Sequence, residues 1–280
     1  MKPRQAVGAA APLAIALLAA PLVAQAPVTI KSMELGRGPT VVLLHGLGGT
    51  RLQWMPTARK LIGDHRVVML DLPGHGESPL PDPFSYEACA AALDQVLAKQ
   101  KPESTIVVGQ GLGGAIALLE AKAHPERMRG LILIDASLKG PPVPDQQKRY
   151  FIQFVEEHFD DFLKMSFARM GRDSAEGVAI HARAALVPQG SMKTYFRTLL
   201  DLDATGAAKG LKMPLLFVGS GFGWPDTASW ATIAKARGFE DPGAIPSRRI
   251  GNSGVQVYAD QPDTLAAVIR EFEKQVMAKK

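Results

Sequence analysis

The chain has 280 residues, 46% of them hydrophobic and 21% charged, enough for one substantial core with an insertion. Its 32 basic and 27 acidic residues give a formal charge of +5. The basic residues form no run like a nucleic-acid-binding stripe, so no nucleic-acid partner is expected. The single cysteine, Cys89, excludes an intramolecular disulfide and reads as a small packing residue, since no histidine accompanies it on its helix.

At the N-terminus, Lys2 and Arg4 precede an uncharged apolar stretch over residues 6–23, and Ala24-Gln25-Ala26 has the small-x-small form of a cleavage site. Residues 1–26 therefore read as a secretory signal peptide. The alternative is a membrane anchor, since the apolar stretch is nearly long enough to span a bilayer; Pro12, Pro21 and the terminal triplet favour cleavage. The expected location is periplasmic or secreted, with no membrane association after cleavage. Loss of Lys2 and Arg4 leaves 30 basic against 27 acidic residues, a formal +3.

Short apolar, β-branched runs follow at residues 40–44, 67–70, 105–108, 131–134 and 215–218, as expected of strands buried on both faces of a parallel sheet. Helical patterns separate them at 85–99, 112–123, 227–236 and 262–277. In the last, Leu265, Val268, Ile269, Phe272 and Val276 mark one buried face. The alternation predicts a doubly wound, mostly parallel α/β sheet.

Between Asp135 and Leu215 lie about eighty residues, too many for a plain crossover. They open on Gly140-Pro141-Pro142-Val143-Pro144 and carry helical patterns at 147–170, 174–186 and 191–202. This predicts a helical lid, residues 140–205, inserted into a core made of residues 27–139 and 206–280. Its aromatic and methionine residues, from Tyr150 to Met170, either pack the lid onto itself and the core or line an apolar pocket.

Chemistry-bearing motifs cluster at strand ends. His45-Gly46-Leu47-Gly48-Gly49 follows the run at 40–44, and Asp71-Leu72-Pro73-Gly74-His75-Gly76-Glu77-Ser78 follows the next. Gly109-Gln110-Gly111-Leu112-Gly113-Gly114 joins a strand to a helix, and Asp135 ends the strand after that. In this order and at these separations the motifs resemble the α/β-hydrolase superfamily, of the lidded type that includes esterases, epoxide hydrolases and haloalkane dehalogenases. The resemblance covers nearly all of residues 28–277. It implies a Gly-x-Ser-x-Gly elbow at 109–113, an oxyanion hole from the backbone N–H groups of Leu47 and Leu112, and a catalytic acid and histidine further on.

The positions so implied do not hold the triad. Gly111 stands at the nucleophile position and Val255 at the base position, and no histidine occurs after His181. The acid's usual place reads Ser220-Gly221-Phe222-Gly223-Trp224, with Asp226 displaced beyond Pro225. Asp135 is the remaining acidic candidate. An elbow nucleophile is held in a strained conformation, and glycine at 111 is expected to relieve that strain. The pocket is expected to comprise His45, Gln110, Gly111, Phe222 and Val255, and either to bind a carbonyl, carboxylate or water, or to be filled by Gln110. His45, His75 and Asp71 read as structural.

No phosphate loop, dinucleotide fingerprint or metal-ligand spacing is present, so no cofactor or metal is expected. The favoured function is binding of a small apolar or carbonyl-bearing ligand, or of a partner, without triad catalysis. The alternative is an esterase-like hydrolase with a rearranged set such as Asp135 and His158 or His181.

Overall fold

The computed structural model describes residues 28–278. The expected signal peptide falls at residues 1–26, outside them. In chain order the core runs β1 (Ser32–Gly36), β2 (Thr40–Leu44), α1 (Met55–Leu61), β3 (Arg66–Leu70), α2 (Tyr86–Leu97), β4 (Thr105–Gln110), α3 (Leu112–Ala123) and β5 (Gly130–Ile134). Helices α4 (Asp145–Glu157), α5 (Phe159–Phe167), α6 (Ser174–Ala184) and α7 (Gln189–Leu199) follow, with the short α8 (Thr205–Ala208). The core resumes with β6 (Leu215–Ser220), α9 (Trp230–Ala236), β7 (Ser247–Ile250), α10 (Val257–Asp260) and α11 (Pro262–Ala278).

The seven strands form one sheet in the order β1-β3-β2-β4-β5-β6-β7, with only β1 antiparallel to its neighbour. Period-2 alternation divides the strand residues between two cores. Val42, Leu44, Val68, Leu70, Val107 and Phe217 pack on one face with residues of α2, α3 and α9. Val41, Leu43, Val67, Met69, Ile106 and Val108 pack on the other with α1, α10 and α11. Each β2 residue is buried, as a strand covered by helices on both faces requires.

The five apolar runs are all strands; β1 and β7 were not expected. Their sequences, SMELG and SRRI, carry charges and are partly exposed because both strands lie at sheet edges. The helix expected at 147–170 is two helices. His158, at φ −128° and ψ 45°, leaves the helical region and separates α4 from α5.

Helices α4 to α7 form an insertion between β5 and β6 with its own apolar cluster, including Val155, Phe162, Phe167, Ile180, Met192 and Phe196. Phe162 and Phe196 meet edge to face at a 4.5 Å centroid separation. Most of the insertion's aromatics therefore pack it together, whereas Tyr150 and Met165 face solvent. Leu47 and Val255 of the core pack against this cluster and join it to the strand ends.

Candidate functional site

A single residue, Gly111, joins β4 to α3. Gly111 adopts φ 54° and ψ −120°, a conformation costly to a residue with a side chain, so the expected relief of strain has its geometric basis. The turn is pinned from below: Gly111 N–H donates to Ile134 O at 2.7 Å. A Cβ built on Gly109 would meet Gly114 Cα at 2.6 Å, so that glycine permits close strand–helix approach. The same atom built on Gly111 would meet only Gly46 Cα, at 3.8 Å. The space above Gly111 is open.

That space belongs to a cavity of about 430 Å³ between the strand ends and the insertion. Leu47, Gln110, Gly111, Leu112, Asp135, Phe222 and Val255 all line it, with Phe167 and Met170 from the insertion. The backbone N–H groups of Leu47 and Leu112 have no hydrogen-bond acceptor among the described residues. Two donors beside a largely apolar volume suit a carbonyl or carboxylate oxygen, and the positive end of the α3 dipole adds to that preference.

His45, expected in the pocket, does not line it. Its ring is fully buried beneath the loop, where Nε2 accepts from Leu72 N–H at 3.0 Å and Nδ1 donates to Gly46 O at 2.7 Å. His75 accepts from Gly48 N–H at 3.2 Å and lies against Pro73 O at 3.1 Å. Burial lowers their pKa values to about 4 and about 3 respectively, so both are neutral scaffolds for the two loops. Asp71 accepts from Arg51 N–H at 2.7 Å and from its guanidinium, closing the turn below.

Neither of the histidines weighed for a rearranged set reaches the cavity wall. His158 is exposed and stacks on Phe154 at 5.3 Å, and His181 sits half-buried on α6. The other two, His65 and His124, lie against Glu273 and Glu126 away from the cavity, so none of the six histidines lines it. Asp135 is also committed. At φ 48°, its carboxylate accepts from Ser220 N–H at 3.1 Å and from Ser220 Oγ, with Arg237 at 3.8 Å. Burial raises the Asp135 pKa, while Arg237 and Ser220 oppose the rise. Arg237 also donates to Asp135 O and, at 3.2 Å, to Gly223 O, fastening β5 to the loop after β6. Asp226 points outward to Arg249 at 2.6 Å.

Gln110 extends from the elbow, its Nε2 donating to Val255 O at 3.4 Å, and narrows the cavity without filling it. Val255 N–H donates to Met170 O at 3.0 Å, tying the base-position loop to the insertion. Sequence reading missed Arg237, Lys139, Gln53 and Tyr258 among the lining residues. Tyr258 OH donates to Gln53 Oε1 at 2.9 Å across 205 positions, a pairing no local spacing announces. The structure also gathers Asp94, Glu120 and His124, a possible metal-ligand group that sequence spacing did not reveal.

Comparison with known proteins agrees with this geometry. Residues 39–176 match the family model for the α/β hydrolase fold. A pimeloyl-[acyl-carrier protein] methyl ester esterase from Chromobacterium violaceum is 33% identical over 200 residues, covering 66% of this chain and 77% of that protein. An sn-1-specific diacylglycerol lipase ABHD11 from Xenopus laevis is 29% identical over 166 residues, covering 58% of this chain and 51% of that protein. Among solved structures, a thermophilic esterase from Thermogutta terrifontis superposes with a TM-score of 0.73 at 21% identity, covering 91% of this chain and 99% of that one. An enol-lactonase from Burkholderia xenovorans LB400 gives 0.69 at 18% identity, covering 89% and 99%. The ordered strand-end loops, the elbow and the sheet, together with these matches, show that the chain belongs to the α/β-hydrolase superfamily.

Proposed function

We propose that this chain binds a small, largely apolar ligand bearing a carbonyl or carboxylate, and does not hydrolyse it through a serine triad. The observation that carries this is the open space above Gly111 in a cavity that no histidine lines. Acyl transfer by the superfamily's route needs a nucleophile and a base in contact. Here the elbow offers hydrogen, and the position across from it offers Val255. The two N–H groups bind an oxygen whether or not anything attacks the adjoining carbon, and the apolar walls hold the remainder of the ligand. Helices α4 to α7 act as the lid. Export after removal of residues 1–26 belongs to the same reading.

A second reading has its own support: the named relatives are an esterase and a lipase. On that reading the pocket hydrolyses carboxylic esters with other residues, of which Asp135 is the acid available. Titration calorimetry with hexanoate, octanoate and their methyl esters separates the two. Saturable binding with recovery of intact methyl ester supports the proposal. Release of methanol during the titration supports hydrolysis, and absence of binding to all four refutes a ligand site of this chemistry.

A further inference from the structure

At the other end of α3, about 18 Å from the elbow by helical rise, lies a second cluster of polar groups. Glu120 and His124 are spaced i,i+4 and share one face of the helix end, while Asp94 reaches them from α2. One ligand atom of each lies within 4.8 Å of the other two. Glu120 is the decisive member. It is only 1% exposed, and neither carboxylate oxygen has a hydrogen-bond partner. A buried carboxylate without a partner is costly when ionised.

The surroundings favour a cation rather than an anion. Asp94 and Glu126 stand against the single cation Arg127, so the surroundings are net negative even before Glu120 ionises. Arg127 Nε donates to Asp94 at 2.5 Å and answers much of that charge. Glu126 stands 3.4 Å from His124 Nδ1 and supplies further negative potential around the ring.

We infer that Asp94, Glu120 and His124 form a divalent-cation site that pins α2 to the C-terminal end of α3. Two carboxylates and one imidazole suit Zn²⁺ or a similar borderline cation, with water completing the shell. Zinc ligands at bonding distance stand about 3.4 Å apart, so the group must contract by about 1.4 Å at most to hold the ion. The site is structural, lying away from the cavity, and is independent of the function proposed for that cavity.

The test titrates Zn²⁺ into the untagged full chain at pH 7.5 by calorimetry, beside Glu120→Gln and His124→Ala. Circular dichroism confirms that each variant is folded. The expected result is one Zn²⁺ per chain in the parent, at least about tenfold weaker binding in each variant, and a Zn²⁺-induced rise in Tm that Glu120→Gln abolishes. No binding by the parent overturns the inference. So does binding that Glu120→Gln leaves unchanged, which would place the ion elsewhere.

Discussion

Replacing Gly111 with alanine separates two explanations for the glycines of the elbow. At φ 54° and ψ −120° a Cβ brings a backbone strain of about 1–3 kcal/mol. Alanine also restricts the unfolded chain, which returns about 0.4–1 kcal/mol. The nearest atom to the new methyl is Gly46 Cα at 3.8 Å, an ordinary contact, so no clash is added. The net loss is therefore about 0–2.6 kcal/mol, or a Tm lower by up to roughly 10 °C for a chain of this size. Gly109→Ala is the contrast. Its Cβ would stand 2.6 Å from Gly114 Cα and 2.7 Å from both Gly113 O and Gly114 N, all backbone atoms that cannot rotate away. It should cost about 3 kcal/mol or more. Urea unfolding of both variants measures the two losses. A Gly111→Ala protein more stable than the parent by about 0.4–1 kcal/mol would show that the elbow is unstrained. One as damaged as Gly109→Ala would show that the space above Gly111 is not open.

Three further predictions concern buried charge. Burial, then repulsion from Asp94, raises the Glu120 pKa from 4.5 to about 8. Between those values the unfolded chain releases a proton that the folded chain retains, so stability is lost as pH rises; in chelator, Glu120→Gln should gain on the parent through this window, by up to about 1.4 kcal/mol per pH unit. His45 and His75 have the opposite sign. Their depressed pKa values, about 4 and about 3, mean that stability present above pH 6.5 is lost as pH falls, and thermal unfolding from pH 7 to 4 should show Tm dropping over this range. Arg237→Met should cost about 3–5 kcal/mol in urea unfolding by leaving Asp135 buried without its cation, and adding Asp135→Asn should recover part of the loss.

The parallel strands were legible because burial on both faces forces continuous apolar runs, as in Val41-Val42-Leu43-Leu44. The edge strands were not, since Ser247-Arg248-Arg249-Ile250 needs only one covered neighbour and keeps Arg248 in solvent. The break at His158 rests on one residue's dihedrals, and the helical periodicity shared by α4 and α5 hid it. The elbow and the loop at 45–49 were readable as motifs because glycines mark backbone conformation locally. The commitment of Asp135 to Ser220 and Arg237 spans 85 and 102 positions, and arises only when the sheet brings strand ends together. Placing His45 in the pocket followed from its motif; the structure turns its ring beneath the loop.

The most direct test of the central claim is hydrolysis of short-chain and medium-chain aryl esters by the purified protein, beside Gly111→Ser/Val255→His. Tryptophan fluorescence confirms that both are folded. The account predicts that the parent releases phenol no faster than buffer, while the double variant, with room above residue 111 for a hydroxyl, turns over measurably. Parent turnover well above buffer, abolished by Asp135→Asn in a folded protein, would contradict it and establish a rearranged hydrolase.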